Sequence, residues 1–145
     1  MTRRAAENQS VNRYLDDKAM DHIDHALGRP VRPLRESYRD YFATGVNSDL
    51  AKAFDASPHW TLRNIAGDVA YYTVTRAGRA ALSEYLARQG KAARAYIVTF
   101  GGHSTVVAAK SHGAARYSLF MDIRDCMPDL KFADFARGST VRVAP

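Results

Sequence analysis

The sequence predicts an α+β chain in two parts, an α-rich part containing a β-hairpin and a smaller ββα(β) part. Three observations carry this reading. Apolar residues recur at helical spacing through much of the first ninety positions. β-rich runs come in pairs around the turn sequences Ala66-Gly67-Asp68 and Gly101-Gly102. Between the two parts, Gln89-Gly90-Lys91-Ala92-Ala93 is short, polar and carries a helix-stopping glycine. The expected organisation is a flexible arm over residues 1–15, a first domain over 16–89 and a second over 94–145.

Residues 1–15 are polar and lack clear periodicity. Ala19, Met20, Ile23, Ala26 and Leu27 place a helix over Asp17 to Leu27, which Gly28 stops. Pro30 and Pro33 keep the next stretch extended. Leu34, Tyr38, Tyr41 and Phe42 fall at i, i+4, i+7 and i+8, predicting a second helix from about Leu34 to Ala43 that Gly45 ends. Ser48 or Asn47 caps a short third helix carrying Leu50, Ala51 and Phe54, broken by Ser57-Pro58. Trp60 to Ile65 and Val69 to Thr75 read as strands. Thr75 then caps a helix from Arg76 to Arg88 with Ala77, Ala81, Leu82, Tyr85 and Leu86 as its apolar stripe, and Gly78 in the first turn allows close packing on the hairpin.

Past the linker, Ala95 to Phe100 and Ser104 to Ala109 read as strands. Ser111 caps a helix from His112 to Cys126 whose buried face is Ala115, Leu119, Phe120, Ile123 and Met127, and Pro128 ends it. Phe132 and Phe135 mark a helical turn, and Thr140 to Val143 a last strand.

Of the 145 residues, 46 % are apolar and 25 % charged, the make-up of a folded domain. No apolar run approaches the ~20 residues that cross a bilayer, and Met1 to Glu7 lacks the apolar segment of a secretory signal. Cys126 is the one cysteine, so no intrachain disulfide forms, and a reducing cytoplasm is expected. The net charge is +6 and the pI about 9.7. Sixteen of the 21 basic residues are arginine, whose planar fork suits phosphate or carboxylate. The charge favours a nucleic acid or an acidic protein surface as partner.

No catalytic constellation is recognised. His22 and His25, with Asp21 and Asp24, fit a solvated helical face rather than a metal site, because no third ligand is in view. His112 and Cys126 are fourteen positions apart on one expected helix, too far to act together. Cys126 reads as a small core residue. Asp16-Asp17 and Asp122-Asp125 read as capping and solubility charges. No cofactor or metal is expected, and the chain is not expected to be an enzyme. Candidate binding residues are basic or aromatic: Arg63, Tyr71, Arg76, Arg79, Arg94, Lys110, His112 and Arg116, joined by Lys91, as a phosphate-tracking stripe. Trp60, Tyr72 and Tyr117 lie near it in sequence, available for stacking or as interface anchors.

Tyr72-Thr73-Val74-Thr75-Arg76-Ala77-Gly78-Arg79-Ala80-Ala81-Leu82 resembles the wing strand and closing helix of MarR-type winged-helix regulators. His25-Ala26-Leu27-Gly28, Tyr38 to Gly45 and Val106 to Arg116 resemble phrases of small uncharacterised phage and prophage proteins. These resemblances cover about half the chain. They imply a winged-helix-like first domain and a phage-type binding protein, of which an anti-CRISPR-type inhibitor is one instance. Where a recognition helix would lie, Ser48 to Ser57 is short and holds one basic residue, Lys52. The expectation is therefore a non-enzymatic inhibitor in the host bacterium's cytoplasm that docks on a nucleoprotein complex or nucleic acid, with no membrane partner. The alternative is a winged-helix DNA-binding regulator, acting as a homodimer.

Overall fold

The helices begin where short polar side chains cap them. The computed structural model describes residues 8–90 and 92–144. Asp17, Ser48, Thr75 and Ser111 each accept a hydrogen bond from the backbone N–H three residues on. They open α1 (Lys18–Ala26), α2 (Asp49–Asp55), α3 (Arg76–Arg88) and α4 (His112–Ile123). A cap of this kind contributes about 1 kcal/mol. A fifth helix, α5 (Phe132–Gly138), has no side-chain cap.

The strands form two three-stranded antiparallel sheets. In the first, β1 (Phe42–Gly45) and β2 (Trp60–Ala66) flank β3 (Val69–Val74). In the second, β5 (His103–Ala109) and β6 (Thr140–Val143) flank β4 (Arg94–Phe100). The architecture is α+β.

Most of the buried apolar side chains fall into two clusters, one drawn from residues 15–86 and the other from 96–135. In the first, Phe54 stacks on Trp60 with centroids 4.0 Å apart, while Phe42 and Tyr72 present edges to it. The Tyr72 hydroxyl donates to Asp55 Oδ1 at 2.8 Å, and burial, helped by this bond, raises its pKa. In the second, alternation along β4 turns Tyr96 and Val98 toward Ala115, Leu119 and Phe135. Gly78 shows why the α3–hairpin corner needs glycine. A Cβ there would lie 2.7 Å from the His59 carbonyl oxygen and 2.8 Å from Val74 Cγ1.

Three sequence expectations are corrected. Residues 34–43 do not form a helix: they are a loop leading into β1, where Phe42 pairs in register with Tyr72. Aromatic residues at helical spacing suit a strand equally well. The pairing with β3 and the acceptance by Asp40 Oδ1 of a bond from Val74 N decide the outcome. Only Phe42 of that face packs on the core, while Leu34, Tyr38 and Tyr41 stay exposed, and Gly45 ends a strand. The expected flexible arm is, over residues 8–15, tied down by hydrogen bonds and by buried Leu15; residues 1–7 lie outside the described residues. Helix α4 stops at Ile123, so Cys126 and Met127 are exposed rather than core. Among the described residues, no helix is long and apolar enough to cross a membrane.

Gly78→Ala should destabilise the protein by about 1–3 kcal/mol through overpacking. Gly113→Ala, where an added methyl meets nothing within 4 Å, should stabilise α4 by about 0.5–1 kcal/mol. Urea midpoints of the two variants read both signs, and a neutral Gly78→Ala would contradict the tight corner.

Candidate functional site

Helix α1 ends in two successive left-handed residues, Gly28 (φ 81°) and Arg29 (φ 54°). Arg29 is the one non-glycine residue with positive φ among the described residues. Such a backbone costs about 1–2 kcal/mol. What offsets it is the anchoring of Arg29: its N–H donates to the Asp24 carbonyl at 2.7 Å, and its Nη1 donates to Asp21 at 2.7 Å and to Asp24 at 3.1 Å. Arg13 reaches the same carboxylate from the other side, through Nε at 2.8 Å and Nη2 at 2.5 Å. The Asp24 side chain is fully buried between the two guanidinium groups.

Around this ion cluster, residues 8–15 form a strap along the loop after α1. Val11 N donates to Arg29 O, Val31 N donates to Gln9 O, and Ser10 pairs with Pro30 in an isolated bridge. Asn8 closes the far end, donating to Glu36 O at 2.6 Å and accepting from Arg32 N at 2.8 Å. Leu15 N donates to Asp21. Burial pushes the Asp21 carboxyl up, but the bonds from Arg29 and Leu15 and the Arg29 charge outweigh it, so its pKa falls below the ordinary 3.8.

The strap and loop together display an aromatic and cationic face. Tyr14 and Tyr38 are 77 % and 75 % exposed, and Tyr41 is 46 % exposed. The Arg29 guanidinium lies 4.7 Å from the Tyr14 ring centre, and that of Arg39 lies 4.3 Å from the Tyr41 ring centre. The Tyr41 ring in turn sits 6.5 Å from Tyr71. Between strap and loop lies a cleft of about 240 Å³ walled by Ser10, Tyr14, His25, Arg29, Tyr38 and Arg39. Gly28 forms its floor, and a Cβ there would overlap the Tyr38 ring. Arg39 has no carboxylate partner among the described residues; its Nη2 donates to Tyr41 O, and its buried Nε has no acceptor. Burial, then the charges of Arg39 and Arg29, hold the His25 pKa below 6.5. A larger groove of about 620 Å³ runs from Gln9–Tyr14 to β5 and the Ser118–Asp122 side of α4.

The stripe expected from sequence does not form one surface. Arg63 is exposed on β2 where the register shifts between Leu62 and Asn64, and Arg76 is exposed at the start of α3. Tyr71 is half-buried at the edge of the aromatic face. Arg79 is turned inward. It donates to the carbonyls of Pro33 and Arg35 at 2.9 and 2.7 Å and to Asp40 at 3.3 Å, and so fastens the loop to α3. At the second sheet, Arg94 pairs in register with Ala109, next to exposed Lys110, and the His112 ring meets Tyr96 edge-on at 4.9 Å. Arg116 is directed to Ser139 by two hydrogen bonds. Lys91 lies outside the described residues. Trp60 and Tyr72 are core residues, while Tyr117 is exposed against Phe132.

One reading of α1 is also corrected. Its Asp–His face is not simply solvated, because Asp24 is buried and His22 is half-buried edge-on to Phe42 and Phe54. The cleft residues Tyr14, His25, Arg29, Tyr38 and Arg39 were not singled out as binders. The signal for them is the alternation of tyrosine and arginine in Ser37-Tyr38-Arg39-Asp40-Tyr41, in a stretch that follows two prolines. Among the described residues, no group of three or more His, Cys, Asp or Glu could hold a metal ion. The chain matches no protein-family model, no curated protein and no solved structure.

Asp24→Asn should destabilise the protein by about 3 kcal/mol, because the buried Arg13 guanidinium loses its one carboxylate among the described residues while Arg29 keeps Asp21; thermal unfolding reads this. Both Asp21 and His25 have folded pKa values below their unfolded ones. Each therefore contributes stability that is present above the unfolded pKa and is lost as pH falls toward the folded one. Stability should decline first below about pH 6.5 and again below about pH 4. Urea midpoints against pH should lose the upper step in His25→Gln, and an unchanged profile would refute its assignment.

Proposed function

We propose that this is a non-enzymatic, phage-type binding protein that docks on a host nucleic-acid-handling complex through the face of Tyr14, Tyr38, Tyr41, Arg29 and Arg39. An anti-defence inhibitor of the anti-CRISPR type is the narrower form of this reading. The observation that carries it is the exposure of two tyrosine rings, above 70 %, on a backbone held by the Asp24 ion cluster. Tyrosine and arginine concentrate binding energy at interfaces, and a face ordered in advance loses little entropy on docking.

Charge distribution supports a partner that contains nucleic acid. Residues 16–89 carry ten basic and ten acidic side chains, whereas residues 94–145 carry seven basic and four acidic. Arg94, Lys110 and His112 gather near the start of α4, giving the basic domain a cationic corner for phosphate. The winged-helix regulator has one feature in its favour, the projecting hairpin whose residues Thr61 to Asp68 are all exposed. Against it, α2 has seven residues, buries Ala51 and Phe54, and offers Lys52 as its one basic side chain.

The test is a tagged pull-down from host lysate, with and without nuclease, using the native chain and a Tyr38→Ala/Arg39→Ala variant of matched thermal stability. A defined set of nucleic-acid-handling proteins should survive nuclease with the native chain and be lost with the variant. Recovery of nucleic acid alone, abolished by nuclease, would defeat docking and favour the regulator.

A further inference from the structure

We propose that the cleft between residues 10–14 and 38–39 binds single-stranded nucleic acid, with a base stacked on Tyr38 or Tyr14 and the adjoining phosphate held by Arg39 beside His25. This deepens the docking reading above and rests on it. The two arginines that line the cleft are not equivalent. Arg29 is matched by Asp21 and Asp24, whereas Arg39 faces no carboxylate among the described residues. An anion in the cleft would balance the charge that Arg39 leaves over.

The rest of the cleft selects which anion. Tyr14 and Tyr38 stand on its two sides with most of their surface in solvent. Aromatic rings beside a cation are the platform on which unpaired bases stack with little regard to sequence. A duplex keeps its bases stacked inside and offers these rings none. An acidic peptide could supply the charge but no planar base. At about 240 Å³ the cleft is below the usual range for an enclosed small-molecule site, which suits one nucleotide of a longer strand. Tyr14 also lines the larger groove, whose lining includes the cations Arg13 and Lys110 together with Asp122. His25 supplies a reporter: Arg39 and Arg29 help to depress its pKa, and a bound phosphate would reverse that.

The experiment uses the full chain and a fluorescein-labelled ten-residue oligothymidylate, read by anisotropy. A duplex of equal length, inorganic phosphate and a polyglutamate peptide serve as competitors. The single strand should bind in preference to all three. Tyr38→Ala and Arg39→Gln should each weaken it by about tenfold or more, as loss of a base stack or a phosphate contact implies. Tyr38→Phe should retain binding, and Arg76→Gln should change it less than about twofold. By NMR, the His25 imidazole pKa should rise on binding in the native chain and not in Arg39→Gln. Equal or tighter duplex binding, equal competition by polyglutamate, or indifference to both cleft variants would overturn the proposal. Absence of oligonucleotide binding, with protein capture still lost in the Tyr38→Ala/Arg39→Ala variant, would overturn this inference and leave docking standing. Oligonucleotide binding through the cleft, with protein capture unaffected by that variant, would overturn docking and leave the inference standing.

Discussion

Asp24 holds the strap to the end of α1 and the loop that follows it. Its carboxylate is fully buried, and the guanidinium groups of Arg13 and Arg29 close on it from the strap and from the end of α1. Each group alone would be costly to bury. Together they fix three things at once: the strap along the loop, the left-handed Arg29, and the spacing of Tyr14 from Tyr38. A buried ion cluster of this kind adds little net stability compared with a packed apolar core. What it contributes here is a defined arrangement of chain segments with almost no regular secondary structure of their own.

The loop after α1 is held from both ends. Asn8 and Arg79 together occupy the carbonyls of Pro33, Arg35 and Glu36, and Asp40 ties the loop's end to β3. Backbone groups that a helix would have paired internally are thus paired with side chains from distant positions. The loop leaves the Tyr38 ring largely exposed, with Arg39 half-buried beside it. Arg79 and Arg39 differ in their partners: Arg79 donates to two carbonyls and to Asp40, whereas Arg39 rests on the Tyr41 ring with no carboxylate partner among the described residues.

Much of the local structure was legible in the residues. The caps Ser48, Thr75 and Ser111, the Gly101-Gly102 turn, the Gly78 corner and the paired strands follow from short-range rules that depend on neighbours in sequence. The candidate site was far less so. Tyr38 and Tyr41 occupy helical spacing, and only strand pairing of Phe42 with Tyr72 shows that no helix forms there. Arg63, Arg76 and Arg94 are exposed as basic surface residues should be, but Arg79 and Arg116 are bound to distant backbone and hydroxyl groups, which charge and composition do not reveal. Asp24 reads as a surface residue until its two partners, eleven positions upstream and five downstream, are seen to converge on it.

The sequence by itself determined that this is a two-part α+β chain with a basic surplus, helices opened by polar caps, and hairpins closed by glycine. These features rest on periodicity, local backbone preference and total charge, each of which is a property of adjacent residues or of composition. Only the tertiary structure decided that the polar segment near the start is a bound strap, that a helical pattern becomes a loop and a strand, and that two tyrosines share one cleft with an arginine that has no carboxylate partner among the described residues. Those outcomes depend on long-range pairing, on which buried carboxylate finds which guanidinium and which strand finds which neighbour. That competition is settled by packing across the chain, which no single stretch of it specifies alone.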